Sequence, residues 1–299
     1  MKRLFIVNPL SERVSRKGSV LAKLAISDVK TIKLDPFNVI IDEVSQAAKD
    51  KIEHVVIEGG DGTVQGVISE FLRQENSFEN FPYFSIIPGG MTNQVCKNIG
   101  FKSARRNYVA KRLSTTLVES PFPLLMVADE EGVQYAGFLF STGAMPQITR
   151  YTTSKLHTKG VGGTLAVIGG IVKGIRGDDA TLMQTSDIEI EDVYKGDHLG
   201  TILTTLPSLI IGLDPFWGKG NAPLRLTWAS ADYQKLGRNI ISLWRGKKSK
   251  DRSDDGLYSM RCEQLDITYS GPVVLDGEFL SFPTNKFTIR PSRPVTFLR

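Results

Sequence analysis

The sequence predicts an α/β N-terminal domain built on a parallel sheet over residues 1–120. A β-rich antiparallel sandwich over residues 121–299 follows, its last strand free to return to the first domain. Three observations predict this. Apolar strand runs alternate with amphipathic helix patterns from Met1 to about Ser120. Within that stretch two glycine-rich turns each stand between a strand and a helix, at Gly59 to Thr63 and at Pro88 to Asn93. After Pro121 and Pro123 the segments favour strand over helix.

In chain order, Leu4 to Val7 reads as a strand, Val14 to Ala25 as a helix, Thr31 to Leu34 as a strand and Val39 to Ala48 as a helix. In this last helix Ile40, Ile41, Val44, Ala47 and Ala48 recur at helical spacing and are expected to face the sheet. Val55 to Ile57 and the run Phe84, Ile86, Ile87 read as buried strands, and Gln94 to Ile99 as a helix. Because strand–helix–strand crossovers of fixed hand make neighbours parallel, both glycine turns should emerge at one carboxyl edge, where open α/β sheets bind ligands. The second half reads as strands at Phe122 to Val127, Gln134 to Phe140, Thr201 to Leu206, Leu224 to Trp228, Leu265 to Thr268 and Val273 to Leu275. Two stretches interrupt them: a helical pattern near Gln147 to His157, and Gly163 to Ile175, whose glycines suit a closely packed buried helix.

A glycine turn before a helix lets backbone N–H groups approach a polyphosphate, and the helix N-terminus adds about half a positive charge. Asp61 lies inside the first turn. A carboxylate among phosphates is repelled unless a cation intervenes or it takes a proton, which suggests Mg-assisted phosphoryl transfer. Gly-Asp-Gly is equally an ordinary turn. Asn93 has two readings, a bond to a phosphate or ribose, or a cap on the following helix. Asp276 and Glu278 also have two: a shared strand face presenting both carboxylates to one site, or an Asp-Gly turn with an exposed Glu.

The chain has 299 residues, 41% of them hydrophobic, and no low-complexity tract, enough for two folded domains. Its formal charge of +5 favours anionic partners: nucleotides, acidic lipid head groups or nucleic acid. No nucleic-acid-binding motif accompanies that charge, so no nucleic-acid partner is expected. Basic residues gather at Arg105, Arg106, Lys111 and Arg112, around Arg150 to Lys159 and at Arg245 to Arg252. Trp244 beside Arg245, Lys247 and Lys248 has the composition of a membrane-interface contact, although solvation accounts for most such runs. Cys96 and Cys262 are isolated, and His54, His157 and His198 are scattered without zinc-site spacing. Met1 to Val7 lacks the pattern of a secretory signal, and no apolar run reaches the roughly 18 residues of a membrane span, so a reducing cytoplasm is expected. Neither a Gly-x-Ser-x-Gly elbow nor a correctly spaced Walker-type loop occurs.

Together these motifs resemble the diacylglycerol kinase catalytic-domain family, which includes bacterial lipid kinases and sphingosine kinases and shares its nucleotide loop with NAD kinases. Asn8 and Pro9 are similar to the family's Asn-Pro opening, Gly59 to Thr63 to its Gly-Gly-Asp-Gly-Thr signature and Pro88 to Asn93 to its Pro-x-Gly-Thr-x-Asn loop. Leu275, Asp276, Gly277 and Glu278 are similar to its final Asp-Gly-Glu motif. The resemblance implies ATP and Mg as cofactors, with Asn8, Gly59, Gly60, Asp61, Gly62, Thr63, Gly90, Met91, Thr92 and Asn93 holding the nucleotide. It implies Asp276 as general base toward a lipid hydroxyl, Glu278 as its supporting carboxylate, and Asp61 and Glu278 as contacts to Mg through ATP. The implied acceptor is diacylglycerol or a related lipid, met transiently at the inner membrane face, entering between the domains near Asp276 with Gly163 to Ile175 as an acyl wall. A homodimer is one option the sequence leaves open.

Departures stand beside the matches. Gln65 and Gly66 replace the frequent Asn-Glu, Met91 replaces Thr, and Gln94 replaces Asp. The Asp-Asp-Gly turn tied to a structural Mg in some bacterial members is not evident around Ala222 to Trp228, so that ion is not expected. Asp254, Asp255 and Gly256 read as a solvated loop without assignment. An NAD kinase and a catalytically silent nucleotide- or lipid-binding regulator are the competing readings.

Overall fold

A computed structural model of the chain describes residues 1–24, 26, 28–151, 183–209, 214–244 and 251–299. They form two compact units, Met1–Pro123 with Arg293–Arg299, and Leu124–Ser292. Gly163 to Ile175, the end of the expected helix Gln147 to His157, and Arg245 to Lys248 lie outside the described residues.

The first unit is α/β. Its sheet runs β2 (Lys30–Lys33), β1 (Arg3–Val7), β3 (His54–Gly59), β4 (Tyr83–Pro88), β17 (Val295–Leu298), β5 (Glu119–Phe122). Every pairing from β2 to β17 is parallel, and only β5 runs antiparallel at the edge. The central strands are apolar on both faces, as helix-covered parallel strands must be: Val55, Val56, Ile57, Ile86 and Ile87 are fully buried. Each such side chain stabilises the fold by about 1.5–3 kcal/mol. One face carries α1 (Glu12–Lys17), α2 (Val20–Leu24) and α6 (Arg106–Ser114), which close a core around Phe5, Val7, Val56 and Ile87. The remaining helices are α3 (Ile40–Lys49), α4 (Asp61–Arg73) and α5 (Gln94–Ile99), and α3 packs against α4.

Two expectations need correction here. The helix expected over Val14 to Ala25 is two helices, because Gly18 turns the chain at φ 76°, where α1 ends. On α3 the buried stripe is Ile40, Val44 and Ala47, whereas Ile41 is exposed one position around the helix.

All ladders of the second unit are antiparallel, and its strands form one eleven-stranded sheet among the described residues, curled so that residues from eight strands close a single core. That core includes Phe140, Leu203, Leu226, Ile267, Leu275 and Phe287. The unit also holds α7 (Ala144–Tyr151) and α8 (Leu236–Trp244). The run expected as one strand from Gln134 to Phe140 is two, β7 (Gln134–Gly137) and β8 (Leu139–Ser141). Phe122 to Val127 is likewise divided, between β5 and β6 (Leu125–Asp129). Nor are Asp254 to Gly256 a solvated loop. They turn directly into β12 (Leu257–Cys262), and buried Asp255 accepts hydrogen bonds from Lys235 Nζ and Asn239 Nδ2, both at 2.9 Å.

Candidate functional site

The parallel register places Gly59 opposite Pro88 and Glu58 opposite Val7, so the chain leaves β1, β3 and β4 at one carboxyl rim. The two glycine turns lie against each other there. Gly89 N–H donates to Gly59 O at 2.8 Å. A Cβ at Gly89 would stand 2.8 Å from Gly59 Cα, and one at Gly90 only 2.6 Å from Gly60 Cα. No real side chain sits that close to backbone, so glycine at these positions is what allows the turns to touch.

α4 starts in this contact. Its N-cap, Gly60, has no side chain, and the first intrahelical bond runs from Val64 N–H to Gly60 O at 3.0 Å. The amides of Asp61, Gly62 and Thr63 therefore precede the helical ladder, and a Cβ at Gly62 would meet nothing within 4 Å. This is an open, electropositive helix end suited to an anion. The loop after β1 supports it. Asn8 Nδ2 donates to Thr63 Oγ1 at 2.8 Å, Gly60 N–H donates to Ser11 Oγ at 3.2 Å, and Asn8 Oδ1 accepts Leu10 N–H at 2.9 Å. The Thr63 hydroxyl is thus a tie between loops.

Asp61 points at the neighbouring helix. Its Oδ2 accepts Gln94 N–H and its Oδ1 accepts Val95 N–H, both at 2.9 Å, so it caps α5. Burial raises its pKa above the ordinary carboxylate value, opposed by those two amides and by Lys97. Asn93, the residue expected either to cap α5 or to reach a ligand, closes its own loop instead. Held at φ 49°, it accepts Gly90 N–H at Oδ1 (2.8 Å) and donates from Nδ2 to Gly90 O (2.7 Å). Met91 stands 51% exposed between them, and Thr92 is half-buried.

Two important residues of this rim escape sequence reasoning. Glu58, wholly buried at the end of β3, forms an ion pair with Arg13 and accepts from Ser19 Oγ (2.6 Å), Val20 N–H (2.9 Å) and Leu21 N–H (3.0 Å). Arg13 in turn donates from Nε to Pro88 O at 2.8 Å, and its N–H donates to Gly89 O at 2.9 Å. The pair ties α1, α2 and both glycine turns together, with every charge satisfied as burial demands. One acidic residue closing an apolar strand was the only available signal.

In the second unit Asp276 and Gly277 are the two turn residues of a hairpin between β14 (Val273–Leu275) and β15 (Glu278–Leu280), at φ 53° and 95°. This is the primed turn that Asp-Gly favours. Asp276 and Glu278 therefore do not share a strand face, and Glu278 is exposed, opposite Leu275. The Asp276 carboxylate accepts Phe138 N–H (2.9 Å) and Leu139 N–H (2.8 Å), the point at which β7 gives way to β8. A Cβ at Gly137 would stand 2.6 Å from Asp276 Oδ2, so glycine makes room for that carboxylate.

The segment holding the whole rim has known relatives. Residues 2–119 match the family model of the diacylglycerol kinase catalytic domain. That segment is similar to a diacylglycerol kinase catalytic domain. No curated protein matches the chain. Among solved structures, a diacylglycerol kinase of Bacillus anthracis str. Sterne aligns at TM-score 0.63 with 15% identity, and the match covers 99% of this chain and 96% of that one. A candidate diacylglycerol kinase of the same organism aligns at TM-score 0.71 with 18% identity and the same coverage. Both are similar in fold across the two units.

The residues of this rim fit a nucleotide triphosphate, given the open amides of α4 and the free space over Gly62. Both Asp61 oxygens are engaged by amides, and among the described residues no group of three or more His, Cys, Asp or Glu side chains is placed to hold one. None of the described helices is long and apolar enough to cross a membrane.

Proposed function

We propose that the protein is an ATP- and Mg-dependent kinase that transfers a phosphoryl group to a hydroxyl of diacylglycerol or a related lipid. The observation that carries this reading is the contact of Gly60 with Gly90, which sets two backbone-lined turns around one open helix N-terminus. The amides of Asp61, Gly62 and Thr63 bind the phosphates, while Asn8 and Ser11 hold that turn in place. Asn93 stiffens the second turn from within, and Asp61 locks it to the first through α5. Mg would supply charge neutralisation to the phosphates it accompanies.

For the acceptor hydroxyl the reading assigns Asp276 as the base. Phe138 N–H and Leu139 N–H each donate to one of its oxygens, which fixes the orientation of the carboxylate. Phosphoryl transfer depends mainly on positioning and charge neutralisation, so the base needs only to orient and deprotonate. Glu278, exposed beyond the turn, is assigned a supporting contact with the acceptor side. The lipid is met at a membrane surface in passing.

Incubation with Mg-ATP labelled at the γ-phosphate, separately with a mixed lipid extract and with NAD, tests the assignment. Label in a lipid product, lost in Asp276→Asn, supports it. Label in NAD supports the soluble-substrate reading. ATP binding without transfer to either supports a silent regulator.

A further inference from the structure

We propose that Phe37 is the platform on which the nucleotide base stacks, a reading that rests on the nucleotide site proposed above. β2 is parallel to β1, and Leu34 N–H continues the ladder to Val7 O at 2.9 Å, so the segment that follows leaves from the same carboxyl rim as the glycine turns. Phe37 opens the short turn before α3, and 40% of it remains exposed, unusual for a large aromatic in this unit. Its ring is seated on α4. A Cβ at Gly66 would lie 2.6 Å from Phe37 Cζ and 2.9 Å from Cε1. The ring tip therefore fills the place of a side chain at position 66, meeting it edge-on.

Gly62 and Gly66 are four residues apart on α4, so they lie one above the other on the same helix face, about 6 Å apart along the axis. The upper position is the open space at the phosphate-binding end, and the lower one carries the ring. That offset is what a ribose bridges between helix-bound phosphates and a base. A residue larger than glycine at position 66 would drive the ring away.

Calorimetric titration of wild type, Phe37→Leu and Phe37→Trp with Mg-ATP and with Mg-tripolyphosphate tests this, with thermal melts confirming the fold of each. Leu keeps the apolar bulk without a π-face. Expected is a loss of about tenfold in ATP affinity for Phe37→Leu, recovery in Phe37→Trp, and tripolyphosphate binding unchanged throughout. Unchanged ATP affinity in Phe37→Leu, or equal weakening of both ligands, overturns the platform while leaving the phosphate site standing. Failure of wild type to bind either ligand overturns the nucleotide site itself.

Discussion

The carboxylate of Asp61 accepts the backbone amide of Val95 at 2.9 Å and, through its other oxygen, that of Gln94. The acid of the first glycine turn is thus the cap of the helix that follows the second. A charged acceptor at a helix N-terminus satisfies orphan donors and opposes the helix dipole. Whatever chemistry Asp61 performs, it also fixes the spacing of the two turns.

Asp61→Asn should therefore lower stability as well as turnover. Asn keeps one acceptor and turns an amide group toward the second N–H, a loss of about 1–2 kcal/mol. Urea unfolding measures this. A stability equal to wild type would assign Asp61 to chemistry alone.

Gly90→Ala and Gly62→Ala separate architecture from ligand contact. The first places a methyl against Gly60 Cα and should cost about 1–3 kcal/mol by overpacking. The second meets open space within a helix, so it should hold or slightly raise stability, by up to about 1 kcal/mol, while weakening ATP binding. Paired denaturation and ATP titrations distinguish them.

Acid should destabilise the first unit through His54. Its Nε2–H donates to Ser85 Oγ at 3.0 Å, since the Ser85 hydroxyl itself donates to Leu298 O at 2.7 Å. Burial above all, then Arg3 and the N-terminal amine, lowers its pKa to about 4. The unfolded chain, at about 6.5, takes the proton first. Stability is therefore complete above pH 6.5 and falls as pH drops toward 4, by roughly 3 kcal/mol across the window. His198, lowered mainly by burial, acts with the same sign in the second unit. Urea midpoints from pH 7.5 to 4.5 should show the decline, and His54→Gln should flatten it.

Both thiols should resist modification in the folded protein. Burial pushes Cys96 up to about 12 and Cys262 up to about 11, leaving almost no thiolate at neutral pH. Reaction with a colourimetric thiol reagent should wait for denaturant, Cys96 last. Rapid labelling of Cys96 in the native protein would contradict the packing around α5.

Turns and strands that depend on neighbouring residues were legible in the sequence. The apolar runs before Gly59 and Pro88, the glycines themselves and the helix from Gln94 to Ile99 are local signals, and they placed both turns on one rim. What the sequence hid is non-local. The ion pair of Arg13 with Glu58 spans 45 residues, and neither partner carries a motif. Ile41 reads as core because Ile and helical spacing alone do not mark where a buried stripe ends. At Asp276 both readings were legible, and positive φ at two successive residues decided for the turn.

The mutual approach of Gly60 and Gly90 has an evolutionary corollary. A Cβ at Gly90 would stand 2.6 Å from Gly60 Cα whereas one at Gly60 would stand 3.2 Å from Gly90 Cα, so random mutagenesis across the rim should return glycine at position 90 more strictly than at position 60. Met91, pointing outward beside them, should accept most of the amino-acid alphabet and is where descendants of this sequence have room to diverge.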